Sequence, residues 1–220
     1  MITPRDDDYQ QTKRLKRTGA PLESPFKELA DWVGAKYGVR VLNVVYDTVI
    51  PDNRPRLTVI LETQEDAVKF RDGALGNFNR IDQKSVQEHF QTILSEQRDL
   101  RFNTRRLFVI FVAFEPIARV EANESVTKEE IRRLKAKLAN KDLWEISRCF
   151  DSVTFFFYTD AQMKQYEAGR SRDVYAEEYS RLVERYDEFG YLKKRGVSVR
   201  FDSKENFDTN YQSNWYYYYK

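Results

Sequence analysis

Two stretches ninety-six positions apart, Leu57 to Gly73 (LTVILETQEDAVKFRDG) and Val153 to Gly169 (VTFFFYTDAQMKQYEAG), each run an apolar strand into a helix that opens on threonine. Thr58 matches Thr154, Thr63 matches Thr159, Phe70 matches Tyr166 and Gly73 matches Gly169. Further on, Val86, Phe90, Ile93 and Leu94 match Tyr175, Tyr179, Leu182 and Val183 at a spacing of eighty-nine, so the loop between the two helices is seven residues shorter in the second copy. A period of this kind predicts two copies of one supersecondary unit.

The second copy gives the clearer element order. Leu107 to Phe114, LFVIFVAF, has no polar alternation and is expected at the centre of a sheet, covered on both faces. Thr127 with Glu130 forms a capping box, and Val126 with Ile131 a hydrophobic staple, so a helix starts there. Leu143 to Phe150 is a more polar edge strand and Val153 to Tyr158 a second apolar one. Helices follow to Gly169 and from Ser171 to Gly190, and Val197, Val199 and Phe201 alternate as a last strand. Strand, helix, strand, strand, helix, strand is the ferredoxin-like plan.

The first copy shows a helix starting at Ser24 and Pro25, a hairpin of Val41 to Ile50 with Leu57 to Leu61, and helices opening at Thr63 and Asp82. It has no opening strand of its own. Leu107 to Phe114 or Trp215 to Tyr219 could complete its sheet. The expected architecture is α+β, two tandem ferredoxin-like (split βαββαβ) units with antiparallel sheets, the first incomplete. Residues 1–23 are read as a disordered or loosely docked arm, 24–104 and 105–203 as the two repeats, and 204–220 as an aromatic tail.

Lys plus Arg number 37 against 35 for Asp plus Glu, balanced in each half, which argues against a module that relies on one large basic field. The single cysteine, Cys149, excludes an internal disulfide framework and fits a reducing, cytoplasmic setting. No apolar run approaches the roughly 20 residues of a membrane span, so no membrane partner is expected.

Few residues suggest chemistry. His89, the only histidine, lies on the edge of an apolar helix face with no partner motif, and Cys149 ends an edge strand. Gly73 and Gly76 lack the strand, lysine and serine or threonine of a phosphate loop. Asp151, Asp160, Glu121 and Glu124 fall near strand ends, where a hydrolase-type enzyme would place carboxylates, but their spacing matches no ligand motif. No cofactor, metal or catalytic residue is therefore assigned.

Two binding readings remain. Nucleic acid could be bound by the basic run Lys13, Arg14, Lys16 and Arg17 together with the sheet aromatics Phe108, Phe155 and Phe157, although the RNA-recognition signature is absent. Trp215, Tyr216, Tyr217, Tyr218 and Tyr219 cannot all share one face of a strand, and are read as an added strand, a recognition segment or a frayed tail. The favoured expectation is a non-catalytic binding or regulatory protein acting on another protein, or on a second copy of itself as a homodimer.

Overall fold

The structure, a computed structural model, describes residues 3–73, 76–98, 101–169 and 171–220. The chain divides into two compact units, Met1–Ile117 and Ala118–Lys220. The first contains α1 (Asp7–Thr18), α2 (Phe26–Tyr37), β1 (Val41–Val49), β2 (Arg54–Leu61), α3 (Gln64–Val68), α4 (Arg80–Gln97) and β3 (Phe108–Ala113). Helix α5 (Glu115–Ser125) carries the division in its first turn. The second continues with α6 (Lys128–Leu138), β4 (Leu143–Cys149), β5 (Ser152–Phe157), α7 (Asp160–Ala168) and α8 (Ser171–Val183). It ends with α9 (Tyr191–Arg195), β6 (Ser198–Ser203), α10 (Lys204–Tyr211) and α11 (Trp215–Tyr219).

The protein is α+β, and each unit holds one three-stranded sheet, of order β1-β2-β3 and β4-β5-β6. In both, the first pair is antiparallel and the second parallel. The match reaches single hydrogen bonds. Val41 lies opposite Leu61 and Leu143 opposite Phe157, and in both hairpins the register then slips, so that Asn43 faces Ile60 and Glu145 faces Phe156. At each slip the polar side chain accepts the next amide: Asn43 Oδ1 from Val44 N, and Glu145 Oε1 from Ile146 N, both at 2.8 Å.

Helix starts and sheet edges repeat in the same way. Thr63 Oγ1 accepts from Asp66 N and Thr159 Oγ1 from Gln162 N, both at 3.2 Å. Glu115 Oε2 accepts from Gln64 N at 3.2 Å and Glu205 Oε2 from Asp160 N at 3.0 Å, so a glutamate after the third strand holds the helix that follows the second. On the open edges, Gln83 Nε2 donates to Val109 O at 2.5 Å and Arg172 Nη2 to Val199 O at 2.8 Å. Each of these bonds occupies an edge carbonyl that could otherwise recruit another strand.

One face of each sheet builds the main core. Leu57, Val59, Leu61, Val109 and Phe111 pack with Val86 and Phe90 of α4 in the first unit. Val153, Phe155 and Phe157 pack with Tyr175 and Tyr179 of α8 in the second. The opposite faces are covered differently. In the first unit α1 lies there: Tyr9 stacks on Phe114 at 5.0 Å, and Thr12 Oγ1 accepts from Asn43 Nδ2 at 3.0 Å. In the second unit Phe156 meets Phe207 of α10 and Trp215 of α11.

Four expectations are corrected. Within the stretch 1–23 read as a disordered or loosely docked arm, Asp7–Thr18 form α1, which buries Tyr9 and Thr12 against sheet one. The βαββαβ units do not form: β3 pairs in parallel with β2 and so belongs to the first sheet, which makes both sheets mixed rather than antiparallel and both units equally complete. Nor is β3 central. It is an edge strand on which Phe108, Ile110 and Val112 are half-buried while Val109, Phe111 and Ala113 are buried. Residues 204–220 are two helices rather than an added strand.

Tyr9→Ala should lower the unfolding free energy by about 3–5 kcal/mol, as for other buried large aromatics, while Arg14→Ala on the exposed side of α1 should change it by less than about 0.5 kcal/mol. Urea titration followed by circular dichroism checks this, and a neutral Tyr9→Ala would return α1 to the status of a loose arm. Thr63→Ala and Thr159→Ala should each cost about 1 kcal/mol through loss of the caps.

Candidate functional site

The C-terminal aromatics are organised by helix periodicity. Ser203, the last residue of β6, caps α10 by accepting from Asn206 N at 2.8 Å, and its hydroxyl donates to Asp160. The chain leaves α10 through Gln212 and Ser213, both at positive φ, and Asn214 Oδ1 accepts from Tyr216 N at 2.9 Å to start α11. Positions i, i+3 and i+4 of a helix share a face. Trp215, Tyr218 and Tyr219 accordingly turn toward sheet two, while Tyr216 and Tyr217 turn toward solvent.

The inward side is a continuous aromatic cluster. Trp215 lies 4.2 Å from Phe207, 5.3 Å from Phe156 and parallel to Trp144 at 6.1 Å between ring centroids. Lys204 Nζ stands 5.4 Å over the Trp144 ring, a cation–π contact. Two hydroxyls pin the helix: Tyr218 Oη donates to Asp202 Oδ2 at 2.5 Å, and Tyr219 Oη meets Ser147 Oγ at 2.7 Å. Burial, followed by the Asp202 carboxylate, pushes the Tyr218 hydroxyl well above its ordinary pKa, and burial also raises that of Tyr219. Both stay protonated and able to donate.

The outward side is open. Tyr216 is 66% exposed, Tyr217 50% and Trp215 37%. Lys220 Nζ sits 5.6 Å over the Tyr216 ring. The structure thus divides the five candidate residues, with Trp215, Tyr218 and Tyr219 packed on the second unit's aromatics and Tyr216 and Tyr217 in solvent.

The nucleic-acid set is divided between the two units. Phe155 and Phe157 are fully buried in the second unit and present no face to a base. Phe108 is half-buried on β3 with the Arg54 guanidinium 4.5 Å over its ring. Lys13, Arg14, Lys16 and Arg17 lie on α1 of the first unit, where Lys16 pairs with Glu62 at 2.5 Å. The aromatics that face the second side of sheet two are Trp144 and Phe156. Neither was singled out by the sequence, and the slip beside Trp144 is what hides its facing from a period-two reading.

The remaining candidates are structural. Asp151 pairs with Arg119 at 2.9 Å, Asp160 accepts from Ser203, and Glu124 is exposed and Glu121 half-buried on α5. Among the described residues no three His, Cys, Asp or Glu side chains are grouped to hold a metal. Cys149 is half-buried, and burial raises its thiol pKa against the opposing pull of Arg200, which leaves it a poor nucleophile. Among the described residues no helix is long and apolar enough to cross a membrane. Comparison with protein-family models, with curated proteins and with solved structures finds no match.

His89 stacks on Trp32 at 4.1 Å, and burial, with Lys36 adding to it and Glu96 opposing, holds the imidazole below its ordinary 6.5. The unfolded chain therefore binds this proton more readily than the folded one, so stability is complete above pH 6.5 and falls as pH drops from there toward the folded value. Urea midpoints measured across that window should decline in the wild type. His89→Gln should flatten the decline, and an unchanged slope in that variant would remove His89 as its cause.

Proposed function

We propose that the protein is a non-catalytic binding protein that engages a protein partner through the solvent side of α11, with Tyr216 and Tyr217 as anchors and Trp215 at their margin. The observation that carries this reading is that two large tyrosines stand in water on a helix whose opposite side is fixed by Trp215, Tyr218 and Tyr219. They contribute nothing to the core beneath. Tyrosine and tryptophan concentrate binding energy at interfaces because they bring much contact area with few rotatable bonds. A helix already held in place also loses little freedom on binding.

The carbonyl caps at Val109 and Val199 weigh against strand addition at β3 and β6 and leave the helix surface as the favoured route. The shared hydrogen-bond plan supports descent of the two units from one by duplication, and the half-buried, unreactive Cys149 suits a reducing compartment such as the cytoplasm. A second copy of the chain is the nearest competing occupant.

Tyr216→Ala/Tyr217→Ala in the full chain should leave the unfolding free energy within about 1 kcal/mol of the wild type, since both residues are surface positions, while abolishing recovery of the partner in a pull-down from the source cell. Sedimentation velocity on both proteins separates a homodimer from a different partner. An unchanged partner set with the double variant would sink the reading.

A further inference from the structure

We propose that the first unit carries a binding pocket for a small organic anion, one carboxylate or phosphate on an apolar body, distinct from the α11 surface. The pocket, of about 320 Å³, is walled by the end of α1, the connection to α2, α2 itself and the first residues of β1. That volume lies at the lower end of the range of small-molecule sites. Leu15, Leu22 and Leu42 supply apolar lining, and Lys16, Lys27 and Arg40 supply three cations against a single lining carboxylate, Asp31.

Each cation has a carboxylate partner. Lys27 pairs with Asp31 at 2.6 Å, while Glu62 takes Lys16 at 2.5 Å and Arg40 at 2.9 Å. Lys16 is a base of low exposure at 10%, whereas Arg40 at 68% can swing to a ligand without unfolding anything. Guanidinium and ammonium groups beside an apolar floor recognise an anionic head on an apolar body.

Comparison of the two units shows that the fold does not require this pocket. Arg40 O accepts from Glu62 N and Asp142 O from Tyr158 N, so Arg40 corresponds to Asp142 and, by the shared slip, Leu42 to Trp144. In the second unit the charge is thus reversed, and the Trp144 ring packs against Phe207 at 5.7 Å and Trp215 at 6.1 Å. Seven residues join α1 to α2 and only two join α5 to α6, so the wall built by Gly19, Ala20, Pro21 and Leu22 has no counterpart. A feature that one copy has and the other folds without is free to serve a ligand.

The test is a backbone-amide NMR titration of the full chain with phenyl phosphate, benzoate, inorganic phosphate and neutral benzyl alcohol. Saturable shifts at Gly19, Leu22, Ala30 and Leu42 are expected with the two organic anions. Arg40→Gln should weaken binding about tenfold, the equivalent of one charge-assisted hydrogen bond. Leu42→Trp, which copies the filled position of the second unit, should abolish it. The proposal is overturned if those amides do not respond, if benzyl alcohol or inorganic phosphate binds as tightly as phenyl phosphate, or if folded Leu42→Trp binds as the wild type does. Should Leu42→Trp fail to fold, unchanged affinity in Arg40→Gln is enough to overturn it.

Discussion

Each unit depends on the parallel pairing of its second and third strands, β2 with β3 and β5 with β6. Parallel neighbours cannot be joined by a tight turn, so the chain must leave the sheet, cross it through helices and return. That crossover supplies α4 and α8 to the main cores, beside α2 and α6, and brings two helix starts, one after each strand, to the same end of the sheet. Glu115 and Glu205 exploit that proximity, each reaching from the helix after the third strand to the first amide of the helix after the second. The third strand is left as an edge, and a side chain from the crossover, Gln83 or Arg172, closes its exposed carbonyl.

A sheet of three strands still has a second face, and the two units cover it with unrelated segments. In the first unit the cover is α1, reached before the sheet in the chain, with a polar contact between Thr12 and Asn43 at its centre. In the second it is α10 and α11, reached after the sheet, with an aromatic contact of Phe156, Phe207 and Trp215. The shared framework is where the two units agree, and the covers are where they differ. Both proposed binding surfaces lie in those covers, the pocket beside α1 and the tyrosines on α11.

Much of this was legible in the residues. The Thr63 and Thr159 caps, the Thr127 and Glu130 capping box and the hairpin of β1 with β2 are local patterns and stand as read. Pairing between distant strands was not legible. LFVIFVAF is apolar enough for a sheet centre, yet Phe108, Ile110 and Val112 are only half-buried, because composition records hydrophobicity and not which strand lies alongside. The helix read as opening at Asp82 is capped earlier, by Asn79, which leaves Ile81 78% exposed. The WYYYY run defied a strand reading because its periodicity is that of a helix, and five residues are too few for that period to stand out.

The pairing of β3 is tested most directly by interstrand NOEs in the folded full-length protein. Parallel pairing with β2 requires contacts between Phe108–Ala113 and Arg56–Leu61 in the order Arg56 with Phe108 through Leu61 with Ala113, together with the matching set between β5 and β6. Contacts of Phe108–Ala113 with Ser152–Phe157 in their place would contradict the two-sheet architecture and restore a four-stranded second unit.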